Sequence, residues 1–177
     1  MKVIAHDPYP VENSGIEYTD LDGIFRNSDI ISLHLPLTPE PEYLLNKDSF
    51  SKMKKGVVII NTSRGLLINT DDLIDAIKEK IVGAACLDVY EEESDLFFED
   101  NSGHIMQDDT LARLVSMPNV ILTSHQGFLT TDALENIAKV TIDNIKAFVS
   151  GEKLENEVCY RCGKSGECKK KRAERCF

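Results

Sequence analysis

Apolar residues along the 177-residue chain gather into short runs separated by polar stretches, and the runs differ in kind. Val3-Ile4-Ala5-His6-Asp7 reads as a strand closed by Pro8, and Ile30-Ile31-Ser32-Leu33-His34-Leu35 as another, stopped by Pro36 and Pro39. The polar stretch between them leaves room for one short helix. Val57-Val58-Ile59-Ile60-Asn61 is continuously apolar rather than alternating, the pattern of a strand covered on both faces in a parallel sheet. Val82 to Asp88 and Val120 to Thr123 supply two further strands.

The intervening segments carry helical periodicity. Thr70 is placed to cap a helix whose first turn holds Asp71 and Asp72, favourable beside the positive end of the dipole, with Leu73, Ile74 and Ile77 facing inward. Thr131 is placed to cap a long amphipathic helix to about Val149, with Leu134, Ile137, Ala138, Thr141, Ile145 and Phe148 on one face and Gly151 at its end. Residues 91 to 110 are too acidic for a core and read as a surface loop with short helical pieces. Strands alternating with helices predict an α/β fold with a parallel sheet, and no internal repeat is present.

Composition narrows the class. At 42% hydrophobic the chain can bury one sizeable core, and no run approaches the roughly 20 apolar residues of a membrane span or the apolar stretch of a secretory signal, so a cytoplasmic location is expected. The net charge of −10 conceals two unlike parts, because residues 159 to 177 carry seven basic and two acidic residues while the first 158 sum to −15. An acidic body argues against nucleic acid as a partner. Lys169-Lys170-Lys171-Arg172 reads as a solvated tail, with contact to an anionic surface as the alternative. Cys159, Cys162, Cys168 and Cys176 fall in that tail, whereas Cys86 sits in an apolar run as a small core residue. One C-x-x-C without a second close pair does not make a zinc ribbon, so no metal site is assigned; reduced thiols on a disordered extension and a metal-binding tail both stay open.

Three strand-end segments then carry chemistry. Asn61-Thr62-Ser63-Arg64-Gly65, Leu87-Asp88-Val89-Tyr90-Glu91-Glu92-Glu93 and Thr123-Ser124-His125-Gln126-Gly127 each follow an apolar run, and neighbouring parallel strands would bring a guanidinium, a carboxylate and an imidazole to one rim. Reducing a 2-keto acid needs a cation to grip the carboxylate and a proton donor for the oxygen that becomes hydroxyl. Arg64 suits the first task through its planar, permanently charged fork. His125 suits the second, with a carboxylate such as Glu93 to favour the protonated ring and fix its orientation. Asp7, ending a strand, is the type of residue that accepts hydrogen bonds from an adenosine ribose and repels a 2′-phosphate, favouring NAD over NADP. Taken singly, each has a plain alternative: a surface arginine at a turn, one carboxylate in a solvated acidic run, a structural histidine, an aspartate in a Pro-containing turn.

These residues lie in longer motifs. His6-Asp7-Pro8-Tyr9-Pro10, Ser32-Leu33-His34-Leu35-Pro36-Leu37-Thr38-Pro39, Asn61-Thr62-Ser63-Arg64-Gly65, Asp88-Val89-Tyr90-Glu91, Asp95-Leu96-Phe97-Phe98-Glu99-Asp100 and His125-Gln126-Gly127-Phe128-Leu129-Thr130 together resemble the NAD-dependent D-isomer-specific 2-hydroxyacid dehydrogenases, the last two segments being most similar to the D-lactate branch. The resemblance covers residues 1 to about 158. It implies that Arg64 binds and orients substrate, that Glu93 pairs with the imidazole, and that His125 is the acid/base. It further implies that Asp7, Leu35, Pro36, Thr62, Ser63, Arg64 and Asp88 line an NAD site, with Asp88 near the nicotinamide amide, and that the partners are a small 2-keto or 2-hydroxy acid and further copies in a homo-oligomer.

The same resemblance exposes a gap. Family members place a strand, a G-x-G-x-x-G turn and a helix before the segment that starts at Met1, and no such glycine motif occurs in this sequence. The expected fold is therefore a partial Rossmann-type doubly wound parallel sheet lacking its first strand and glycine-rich turn, followed by a long C-terminal helix. In that scheme residues 1–127 are a partial NAD-binding domain, 128–158 a helix that in the family packs on the substrate domain, and 159–177 a basic, Cys-rich, disordered tail. The strands at Val3 and Ile30 are expected to lack their usual partner against Val57 to Asn61. The functional expectation is the C-terminal part of a D-lactate dehydrogenase, inactive alone; a non-catalytic binding module and a dehydrogenase for another 2-hydroxy acid are the alternatives.

Overall fold

A computed structural model describes residues 1–36, 43–92, 107–152 and 154. The chain divides into two compact units, Met1–Gly127 and Phe128–Phe177. Glu93, the Asp95 to Asp100 segment, Pro39 and the Cys-rich tail lie outside the described residues.

The first unit is α/β. Its main sheet holds β3 (Ile30–Leu33), β4 (Val57–Asn61), β5 (Val82–Leu87) and β6 (Val120–Leu122), in that spatial order and all parallel. Sequence order equals spatial order, so each step needs a crossover. The crossovers carry α2 (Lys47–Ser51), α3 (Thr70–Lys78) and α4 (Asp109–Val115). Ile31, Leu33, Val57, Ile59, Val82, Ala85 and Leu87 from the strands pack into one core with Phe50, Leu73, Ile74, Ile77 and Leu114 from the helices. Val57, Ile59 and Asn61 on one face of β4 are buried, and Val58 and Ile60 on the other are half-buried. The continuous apolar run thus reflects a central strand with one face more deeply covered.

β1 (Ile4–Ala5) and β2 (Glu17–Tyr18) form a separate parallel pair, followed by α1 (Leu21–Asn27). The expectation that both early strands would lack a partner against β4 is corrected for the second. β3 pairs directly with β4, Ile30 opposite Val58 and Leu33 opposite Asn61. β1 stands outside that sheet, bonded to β2 in the separate pair through a register that links Ile4 to Glu17.

Two capping assignments shift by one residue. Asn69, not Thr70, caps α3 by accepting from the Asp72 amide at 2.9 Å, because the Thr70 amide and hydroxyl are both taken by Glu91. Thr130, not Thr131, caps the long helix α5 (Thr131–Val149) by accepting from the Ala133 amide. Strand β2 and helix α2 have too few apolar residues to register as periodic. α2 is set instead by a capping box, in which Asn46 accepts from Ser49 and the Ser49 hydroxyl accepts from the Asn46 amide.

The second unit contains α5. Gly151, at φ +71, ends the helix with the Glu152 amide donating to the Ala147 carbonyl at 2.9 Å. None of the α5 residues is buried, and Ile137, Ile145 and Phe148 along its apolar face are about half exposed. Among the described residues no helix is long and apolar enough to cross a membrane.

Candidate active site

In a parallel sheet every carboxyl end lies on one edge, and ligands of α/β sheets bind there. That edge collects Leu35 and Pro36 after β3, Thr62, Ser63 and Arg64 after β4, Asp88 after β5 and His125 after β6. Asp7 follows β1 in the separate pair. Glu93 is the one sequence-predicted site residue outside the described set.

The loop after β4 is organised by a residue whose role the sequence reading passed over. Asn61 is 1% exposed at the last position of the strand. Its amide nitrogen donates to the Arg64 carbonyl at 2.9 Å and its side-chain oxygen accepts from the Ser63 amide at 3.0 Å. A buried amide left without partners costs about 1–3 kcal/mol, so the loop closes on Asn61 to satisfy it. The signal was a polar side chain ending a wholly apolar run. Ser63 in turn donates its hydroxyl to the Leu35 carbonyl, joining the ends of β3 and β4. Arg64 is exposed, and one guanidinium nitrogen donates to the Ser63 carbonyl at 2.7 Å.

Asp88 joins the next two loops. Its amide donates to the Asn61 carbonyl at 2.9 Å, and its own carbonyl accepts from the His125 amide at 2.7 Å. Its carboxylate accepts from the Thr123 hydroxyl, from the Gln126 amide at 2.9 Å and from the Gly127 amide at 3.2 Å. His125 sits between these anchors at φ +52, a left-handed conformation that is uncommon for a residue with a Cβ. The loop that presents the imidazole is thus pinned at both sides by one aspartate. Burial alone would raise the Asp88 carboxyl's pKa, but the three hydrogen bonds and the nearby His125 outweigh it and hold the group below the usual range.

This predicts a pH effect. A carboxylate whose folded pKa lies below its unfolded value adds stability that is complete above the unfolded pKa, near 3.9, and is lost as pH falls through the folded one. Asp88→Asn presents an amide N–H2 where two backbone amides and a hydroxyl need an acceptor. Its melting temperature should fall below the parent's at pH 7, and the gap should close progressively below about pH 4. A gap that is constant from pH 7 to 3 would show that the carboxylate's charge contributes nothing.

The donor set also fits a dinucleotide. The Asp7 carboxylate uses Oδ1 for the Tyr9 amide at 2.7 Å, and among the described residues Asp88 Oδ2 accepts only the Gly127 amide, so both carboxylates retain acceptor capacity for hydroxyl or amide donors. The sequence holds no glycine-rich turn for a pyrophosphate. Neither carboxylate offers the backbone N–H groups that a pyrophosphate would need.

A parallel sheet carrying these groups on its carboxyl edge defines an α/β dinucleotide-binding domain, here a partial Rossmann-type one. The chain belongs to the D-isomer-specific 2-hydroxyacid dehydrogenases: the family's NAD-binding domain matches residues 1–127. NAD is the cofactor of that domain. A 2-hydroxyacid dehydrogenase homolog of Haemophilus influenzae is 52% identical over 161 residues, covering 89% of this chain and 49% of that protein. The D-lactate dehydrogenase of Escherichia coli is 48% identical with the same coverage, 89% and 49%. Among solved structures the pyruvate reductase of Chlamydomonas reinhardtii superposes with a TM-score of 0.80 at 44% identity, covering 88% of this chain and 48% of that one. The chain spans about half the length of the relatives it matches.

Proposed function

We propose that this chain is the cofactor-binding part of an NAD-dependent D-lactate dehydrogenase that interconverts pyruvate and D-lactate in the cytoplasm, within a homo-oligomer. The observation that carries the reading is the collection of Arg64, Asp88 and His125 on one edge of a parallel sheet, their loops tied to one another through Asn61 and Asp88. When bound, NAD supplies the hydride acceptor, and NADH the donor, for the substrate's second carbon.

The chain's own residues do the rest. The Arg64 fork grips the substrate carboxylate with paired hydrogen bonds, which orients the adjacent carbonyl. The His125 imidazole gives a proton to the carbonyl oxygen during reduction and takes one from the hydroxyl during oxidation. Glu93 pairs with that imidazole. Asp7 accepts from the adenosine ribose, Leu35, Pro36, Thr62 and Ser63 line the cofactor's path, and Asp88 receives the nicotinamide amide while holding the histidine loop.

Turnover in this reading needs a pyrophosphate cradle and a substrate domain from outside these residues. Purified 1–177 should show no pyruvate-dependent NADH oxidation. A chimera joining the N-terminal half of the Escherichia coli relative to this chain should show it, and Arg64→Gln in that chimera should raise KM for pyruvate and lower kcat. Because paired charged hydrogen bonds are removed, kcat/KM should fall by at least about 100-fold. Turnover by the isolated chain would reject the need for outside residues, and a folded chimera that reduces only bulkier 2-keto acids would reject the assignment to D-lactate.

A further inference from the structure

Three glutamates follow one another after β5, and the structure separates the first from the second. Glu92 is exposed, whereas Glu91 is half-buried with both carboxylate oxygens engaged. Glu91 Oε1 accepts from the Thr70 amide at 2.6 Å and from the Thr70 hydroxyl at 2.8 Å, and Oε2 accepts from the Tyr43 hydroxyl at 3.3 Å. Thr70, only 8% exposed, begins α3. The other end of the intervening segment is Arg64.

We propose that Glu91 is a positioning residue for Arg64, acting by clipping both ends of residues 64–70 onto the turn that follows β5; the consequence for substrate rests on the reading of Arg64 as the carboxylate clamp. At the near end, Gly65 lies directly on the Tyr90–Glu91 peptide, so that a Cβ there would come within 2.0 Å of the Tyr90 oxygen and 2.6 Å of the Glu91 nitrogen. At the far end the Glu91 side chain holds Thr70. Between them a single 3-10 turn, Gly65–Leu67, is closed by the Leu67 amide on the Arg64 carbonyl at 3.3 Å and the Ile68 amide on the Gly65 carbonyl at 3.0 Å. So short a turn has little stability of its own and takes its geometry from its ends. Tyr43 adds a third tie, since its amide donates to the Leu66 carbonyl at 3.1 Å while its hydroxyl reaches Glu91. The Glu91 carboxylate therefore holds the far end of the span and its backbone packs on the near end, beside the exposed arginine.

The test uses the full chain, uniformly labelled with 15N, with oxamate as a small 2-keto acid mimic. In Glu91→Ala the amides of Leu67, Ile68 and Thr70 should exchange with solvent at least about tenfold faster relative to those of β4, as loss of hydrogen bonds to a charged acceptor implies. The Arg64 side-chain resonance should move, and in the chimera with the Escherichia coli N-terminal half oxamate should bind at least about tenfold more weakly. Glu91→Gln keeps an acceptor for Thr70 and should recover most of both effects. Unchanged exchange over 64–70 in Glu91→Ala would overturn the proposal, as would a glutamine variant indistinguishable from alanine. Should Glu91→Ala fail to fold, Thr70→Ala removes only the hydroxyl donor and must show the same effects, smaller, at the same amides. If the parent chimera itself does not bind oxamate, the carboxylate-clamp reading fails, and the exchange measurements on the full chain still decide whether Glu91 holds the segment.

Discussion

Replacing Gly65 by alanine should destabilise the first unit by at least about 3 kcal/mol, at the upper end of the usual cost of overpacking, because the new methyl has nowhere to go. Its Cβ would lie 2.0 Å from the Tyr90 oxygen, 2.1 Å from the Tyr90 carbonyl carbon and 2.6 Å from the Glu91 nitrogen, all of them backbone. A side chain could swing aside. A peptide plane cannot do so without parting the exits of β4 and β5, whose last bond is the Asp88 amide on the Asn61 carbonyl. For a unit of this size about 3 kcal/mol corresponds to a melting temperature lower by roughly 6–12 °C. Gly15→Ala is the comparison, since Gly15 adopts φ +74 with nothing within 4 Å of its Cβ position. There alanine meets only the left-handed backbone cost of about 1–2 kcal/mol. Equal shifts for the two variants in a thermal melt would mean that the β4 and β5 exits are not packed as closely as the structure places them.

The same glycine shows what could be read from the sequence alone. Asn61-Thr62-Ser63-Arg64-Gly65 was legible as a strand end bearing a cation, because the apolar run stops abruptly and a polar loop follows. That Gly65 is required by contact with a peptide 25 positions later was not legible, since tertiary packing leaves no local pattern. The parallel sheet came through for the opposite reason: runs such as Val57 to Ile60 are long enough and apolar enough to exclude other placements. Short elements were harder. β2 has two residues and α2 five, too few for a period to show, and α2 depends on the side-chain hydrogen bonds of Asn46 and Ser49. The caps at Asn69 and Thr130 were displaced by one residue because two adjacent polar residues compete at each helix start, and only the partner in space decides. For Thr70 that partner is Glu91, which composition presents as one carboxylate in an acidic run. Asp88 likewise reads from sequence as a cofactor contact, and the structure shows it also anchoring the histidine loop through bonds to residues 35 to 39 positions away.

His125→Asn in the chimera should lower kcat for pyruvate reduction by about 10²–10⁴-fold, the range that a positioned general acid supplies, while leaving the fold intact. Asparagine is the informative choice because His125 stands at φ +52, and asparagine is among the few residues that tolerate the left-handed region. Glutamine or alanine would add backbone strain and confuse a lost proton donor with a disordered loop. Asparagine can still donate its backbone amide to the Asp88 carbonyl, so the Gln126 and Gly127 amides should remain on the Asp88 carboxylate. Its carboxamide can donate a hydrogen bond to the substrate oxygen but cannot transfer a proton to it. NADH affinity, measured by fluorescence, should therefore stay within about threefold and the melting temperature within roughly 2–4 °C, the equivalent of about 1 kcal/mol, while kcat collapses. A variant that keeps more than about a tenth of the parent kcat with both controls unchanged would remove His125 from the proton transfer, since a general acid is worth at least two orders of magnitude. The proton would then have to come from another group on the same edge or from water.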